Sequence, residues 1–177
     1  MARAAVEQLL YLIDEAFEGP EGWHSLLGNL RSVGQDDWLW TPPMGARTIR
    51  VLAAHIAAAK YVYANVAFCD GKLSWNAPVA DLGYGMEDLQ NESVLDNEPA
   101  MEDIIGWLTE GQRALREHVA ALDDEDLLRP RPTHRGEMRE TRWLISVMIQ
   151  HDLYHAGEIN HIRALRQGND GGAWEAA

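Results

Sequence analysis

The chain has 177 residues, enough for one domain with a sizeable core and short for two, so residues 1–177 read as a single domain. Its 15 Lys and Arg against 28 Asp and Glu give a formal charge of −13, which repels phosphate backbones and anionic lipid surfaces and argues against nucleic acid or a membrane as partner. The lone cysteine, Cys69, cannot close an internal disulfide, and MARAAVEQLL lacks the regions of a signal peptide, so a reducing cytoplasm is the expected compartment.

From the N-terminus, Val6, Leu9, Leu10, Ile13 and Phe17 recur at helical spacing until Gly19-Pro20-Glu21-Gly22 breaks the run. Trp23, Leu26, Leu27 and Leu30 resume it, which predicts a first bundle element that is bent or split. His24 has no ligand spacing around it and reads as structural or solvated. Residues 35–47 hold Trp38, Trp40, Pro42, Pro43 and Gly45, a loop by its breakers whose tryptophans are expected to cap one end of the core.

Thr48 is a plausible N-cap for a second helix over residues 49–68, striped by Leu52, Ile56, Ala59, Tyr63 and Val66. His55, Lys60 and Asn65 interrupt this apolar segment, which counts against a membrane span. On its own, His55 beside such a stripe reads as a core histidine. Cys69 reads as a small buried hydrophobe, since no basic residue or CxxC spacing surrounds it in the sequence. Residues 70–99 have no sustained period, and Trp75 and Tyr84 within them read as packing anchors. A connection of ~30 residues, at ~3.3 Å per residue, can run back along a whole bundle, so the helices it joins can be parallel.

Residues 101–122 form a third amphipathic helix on Ile104, Leu108, Gly111, Leu115, Val119 and Leu122, with His118 structural at its edge. Asp123 to Asp126 and Arg129-Pro130-Arg131-Pro132 read as a solvated linker and a rigid turn. Thr141 then caps a fourth helix that runs to Gly168.

In that helix His151 and His155 are four residues apart, about 40° around the axis, so both imidazoles leave one face. The pair could hold two positions on a metal ion or lie idle on a wet face. Leu144, Val147, Met148, Ile162 and Leu165 fall within about 60° of His151, which makes this the expected core side. The intervening Asp152-Leu153-Tyr154 excludes the zinc-protease HExxH arrangement. Four apolar-striped segments without strand alternation predict an all-α, four-helix bundle. If its second and fourth helices are neighbours, His55 can join His151 and His155 on one ion, leaving an open position for water or substrate.

The stretch Thr41-Pro42-Pro43-Met44-Gly45-Ala46-Arg47-Thr48-Ile49 leading to Leu52-Ala53-Ala54-His55-Ile56 resembles the approach to the second helix in the DinB-like family, also described as YfiT-like metal-dependent hydrolases. His151-Asp152-Leu153-Tyr154-His155-Ala156-Gly157-Glu158-Ile159 resembles that family's HxxxHxGxI signature, with Trp143 upstream. The resemblance covers most of the chain. It implies an up-down-down-up bundle with a long connection between helices two and three, and a divalent-metal site on His55, His151 and His155. Imidazole ligands suit zinc, nickel and iron alike.

The family's thiol transferases and thiol-dependent isomerase imply a small-molecule substrate, a low-molecular-weight thiol as co-substrate, and a homodimer. Metal-assisted hydrolysis fits the same site, and the rival reading is a non-catalytic metal-binding protein with a stress-response or interaction role. Glu158 stands where the family more often has glutamine. It lies about 20° from His151 and ~4.5 Å along the axis beyond His155. It is the candidate catalytic carboxylate, orienting a histidine or accepting a proton. Because metal needs neutral imidazoles, with an ordinary pKa of ~6.5, affinity is expected to fall below that pH.

Overall fold

The computed structural model describes residues 2–19, 25–43, 47–69 and 100–169. Trp23, His24, Gly45, Trp75, Tyr84 and the tail from Asp170 lie outside the described residues. The elements are α1 (Ala4–Glu18), α2 (Leu26–Leu30), α3 (Gln35–Trp38), α4 (Ile49–Phe68), α5 (Met101–Ala120) and α6 (Thr141–Gln167). A 3-10 helix (Asp124–Leu128) and the antiparallel strands β1 (Pro130–Pro132) and β2 (Met138–Glu140) lie between α5 and α6.

The four long helices form an all-α bundle. Arg3 at the start of α1 donates to the Ala120 and Leu122 carbonyls at the end of α5, while Asp14 pairs with Arg116, so α1 and α5 are antiparallel. Lys60 meets Gln112 and Cys69 meets His118, an ascending order on both chains that makes α4 and α5 parallel. His55 meets His151, and Arg131 links the Ala67 carbonyl to Thr141, so α6 runs against α4. The directions are therefore up, down, down, up, as the length of residues 70–99 anticipates.

Local chemistry explains most of the boundaries. The Thr48 hydroxyl accepts from the Val51 amide at 3.2 Å and caps α4. Gly168 ends α6 in the left-handed region at φ 69°, its amide donating to the Ala164 carbonyl. The first element is split, as its breakers predict, with α2 restarting where Ser25 accepts from the Gly28 amide. Trp38 is buried in the core and Trp40 packs against the same cluster.

The segment between α5 and α6 departs from the expected linker. Asp124 accepts from the Ala5 and Val6 amides at 3.1 and 3.0 Å, capping α1 from across the bundle. Arg129 to Pro132 is the first arm of a β-hairpin. Thr141 does not cap α6, since Glu140 occupies the N-cap position. The Thr141 hydroxyl instead donates to the Arg129 carbonyl at 2.8 Å and accepts from Arg131, tying the hairpin to the helix. Cys69 is exposed rather than buried, with its sulfur 3.3 Å from the His118 ring that stacks on Phe68. On α6, Leu165 is exposed, and Ile145 and Ile159 fill the core instead.

α4 is long and apolar enough, by length and composition, to cross a membrane, but 67% of its most apolar window is buried inside the bundle. Its interior carries a charge: Lys60, 1% exposed, donates to Asp152 at 2.6 Å and to Gln112 at 2.8 Å. Gly111 makes that approach feasible, because a Cβ there would lie 3.3 Å from the Lys60 Cβ and the Tyr61 ring. Burial pushes the Asp152 carboxyl above its ordinary value, opposed by the Lys60 ammonium.

Removing one member of a buried pair strands the other charge. Lys60→Met should therefore lower unfolding free energy by about 3–5 kcal/mol in urea, while Lys60→Met with Asp152→Leu recovers most of it. A single Lys60→Met variant as stable as the parent would show that the pair is replaceable on one side.

Candidate metal centre

His55 projects from the middle of α4, and His151 and His155 from the facing stretch of α6. Because α4 and α6 are antiparallel neighbours, all three rings meet. One ligating nitrogen from each lies within 4.8 Å of the other two, and the Nε2 atoms of His55 and His151 are 3.2 Å apart. The ring centroids of His151 and His155 are 4.5 Å apart, edge to face, and those of His55 and His155 5.1 Å.

Three imidazoles in one place cannot all be charged. Burial lowers the pKa of His55 to about 4, with further lowering by His155 and Arg47. Burial likewise lowers His151 to about 3, helped by His155, His55 and Lys60. Both rings are thus neutral near pH 7 and keep a nitrogen lone pair, the form a metal ligand needs. The acid window expected from the ordinary value of ~6.5 therefore moves down for these two rings.

The donor set fits a divalent ion. Ligands ~2.1 Å from a tetrahedral centre sit about 3.4 Å from one another, close to the 3.2 Å between the His55 and His151 nitrogens. The protein alone leaves the His151 ring under-satisfied, since its buried Nδ1 has no hydrogen-bond partner among the described residues.

Glu158 lies one turn beyond His155 and holds it. Its Oε2 is 2.9 Å from His155 Nδ1, and its side chain is 34% exposed against 6% for the histidine. A carboxylate on Nδ1 fixes the ring orientation and leaves Nε2 for the cluster. The geometry therefore places Glu158 against a histidine, as a positioning contact.

Beside the cluster opens a cavity of about 480 Å³ lined by His55, Ala59, Tyr63, His134, Arg135 and His151. The spacing of His55, Ala59 and Tyr63 along one helix was a signal for this wall, hidden because Tyr63 also continues the apolar stripe. His134 and Arg135 had no such signal, coming from the tip of a hairpin that reads as a turn. Cys69 and His118 lie elsewhere, the cysteine fourteen helical residues, about 21 Å, from His55 along α4.

A family model described as the DinB superfamily matches residues 21–159, a span that holds His55, His151, His155 and Glu158. The chain belongs to the DinB superfamily. No curated protein matches it.

The depressed histidines couple pH to stability. In the unfolded chain these imidazoles take up protons near ~6.5, whereas in the fold they do so only near 4 and 3. Their contribution is complete above the unfolded value and is lost as pH falls through this window. Metal-free protein should therefore show a Tm that drops between pH 7 and 5, more steeply than in a His55→Gln, His151→Gln double variant. Equal slopes in differential scanning calorimetry would mean that the cluster does not resist protonation.

Proposed function

We propose that this DinB superfamily member is a metal-dependent enzyme in which His55, His151 and His155 hold one divalent ion to activate a small-molecule thiol or water. The reaction best supported is transfer of a low-molecular-weight thiol to a small electrophile, with metal-assisted hydrolysis as the other use of the same site. The observation that carries this reading is the cavity of about 480 Å³ opening directly on His55 and His151. A metal held only for stability is enclosed by its ligands, whereas a substrate needs an open coordination position and a route to it.

When bound, such an ion lowers the pKa of a thiol or water toward neutrality. The chain's own residues do the rest. The neutral imidazoles of His55 and His151 offer lone pairs without first losing a proton at pH 7. Glu158 holds Nδ1 of His155, so that ring cannot turn its other nitrogen away. Tyr63 and Ala59 line the cavity beside the imidazoles and give it part of its apolar surface.

The expected outcome is about one divalent ion per chain by elemental analysis after dialysis, with most of it lost in His151→Ala, because two imidazoles make a weak clamp. Equal metal in parent and variant would remove the histidines from the site. Assay against a panel of low-molecular-weight thiols with an electrophilic acceptor then separates transferase from metal-binding protein. No turnover by metal-loaded protein with any thiol, or by water, supports the non-catalytic alternative.

Two further variants fix the roles. Glu158→Gln should keep the fold and most of the metal while shifting the pH profile of activity, since an amide orients the ring without the carboxylate's charge. Cys69→Ser should leave turnover within about twofold, because its sulfur lies far from the cluster on the helix. A covalent adduct on Cys69 during turnover would reassign the nucleophile.

A further inference from the structure

Among the described residues, the lining of the cavity beside the histidines carries one permanent charge, and it is positive. Of its described lining residues only Arg135 carries a fixed charge, and none is a carboxylate, in a chain with a formal charge of −13. Arg135 is also little used by the described residues. The other arginines of the hairpin region are occupied: Arg129 pairs with Asp126 at 3.0 Å, Arg139 with Glu137 at 2.9 Å, and Arg131 donates to the Ala67 carbonyl and Thr141. Arg135 has no carboxylate partner among the described residues. Its Nε donates to His134 Nε2 at 3.3 Å, which leaves both Nη groups without a partner among those residues.

The backbone of the loop that presents the exposed Arg135 side chain is held in place. Gly136 turns the chain at φ 79°, where a side chain would be strained, and its amide donates to the Thr133 carbonyl at 2.9 Å. The buried Thr133 hydroxyl accepts from the amides of Arg135 and Glu137, both at 3.2 Å. His134 meets the Tyr63 ring edge to face at 5.0 Å, seating the tip on α4. Burial and the Arg135 charge lower the His134 pKa, so its ring is a neutral acceptor for Arg135. Burial raises the Tyr63 pKa, so its hydroxyl stays protonated as a neutral group in the same wall.

We propose that Arg135 is the anion-recognition group of this cavity and that the small molecule bound there carries a carboxylate, gripped by the two Nη groups while its other end reaches His55 and His151. This rests on the reading of the histidine cluster as the reaction centre. A planar guanidinium whose outer two nitrogens have no partner among the described residues matches the two oxygens of a carboxylate in a fork. A cavity of about 480 Å³ suits a molecule of that class.

The test uses two thiols of equal chain length, 3-mercaptopropionate and 3-mercapto-1-propanol, titrated by NMR into zinc-loaded and metal-free protein. The parent should bind the carboxylate about tenfold more tightly than the alcohol, the scale of one charge-assisted pair. The Arg135 Nε–H resonance should move with the carboxylate and stay with the alcohol. Arg135→Gln should abolish the preference with zinc content unchanged, and Arg139→Gln, on the same hairpin but paired with Glu137, should keep it. Equal affinities in the parent, or a preference that survives in Arg135→Gln, overturns the assignment. Protein that takes up no zinc overturns the metal reading instead, and the metal-free titration then decides on Arg135 by the same two criteria.

Discussion

A single buried ammonium sets the register of the bundle. Lys60 sits near the centre of α4 at 1% exposure, where an unpaired charge would be prohibitive, and each of the other three long helices supplies something to it. Asp152 comes from α6 and Gln112 from α5, while α1 contributes the face of Phe17, 5.2 Å from the Nζ. Gln112 also donates to the Ile13 carbonyl, so α1 is held twice. Slipping any helix by one turn, about 5.4 Å, would strand the charge. Such a network is weak evidence for net stability, but it discriminates one alignment from its neighbours.

That alignment is what assembles the histidines. Asp152 is the residue after His151, and Lys60 lies five residues after His55, so the ion pair and the imidazole contact are adjacent steps on the same helix pair. Fixing the pair fixes which turn of α4 faces which turn of α6. The ammonium acts electrostatically as well, since Lys60 is one of the charges that hold the His151 pKa down. One residue therefore serves both the order of the core and the neutrality of a donor ring.

The sequence made the long helices legible because each carries a stripe at the helical period, and the i, i+4 relation of His151 and His155 was legible for the same reason. His55 was different. Nothing local separates it from a core histidine, and it became a site candidate only through a neighbour on another helix and a family resemblance. Lys60 and Asp152 were invisible in their roles, since a buried pair 92 residues apart looks in one dimension like two interruptions of apolar runs. The hairpin has no sequence signal because strands of three residues, the first with a proline at each end, have no period to detect, and its tip is what places His134 and Arg135. The apolar stripe of α6 extends in the sequence to Leu165, which is exposed although Ile162 and Arg163 beside it are buried.

The hairpin is anchored at both ends, which separates two design problems in this molecule. At its base Arg131 stacks on Phe68 at 4.7 Å and donates to the Ala67 carbonyl, on the last turn of α4. At its tip His134 packs on Tyr63, earlier on the same helix. The histidine cluster, by contrast, belongs entirely to α4 and α6 and depends on the buried pair beneath it. Changes at the hairpin tip thus alter the charge and shape of the cavity wall formed by His134 and Arg135 and leave the helices that carry the imidazoles in place. Changes in the core near Lys60 reach the imidazoles without touching that wall. A rigid donor cluster on the helices and a separately anchored loop over it are the arrangement in which one kind of site can take different small molecules.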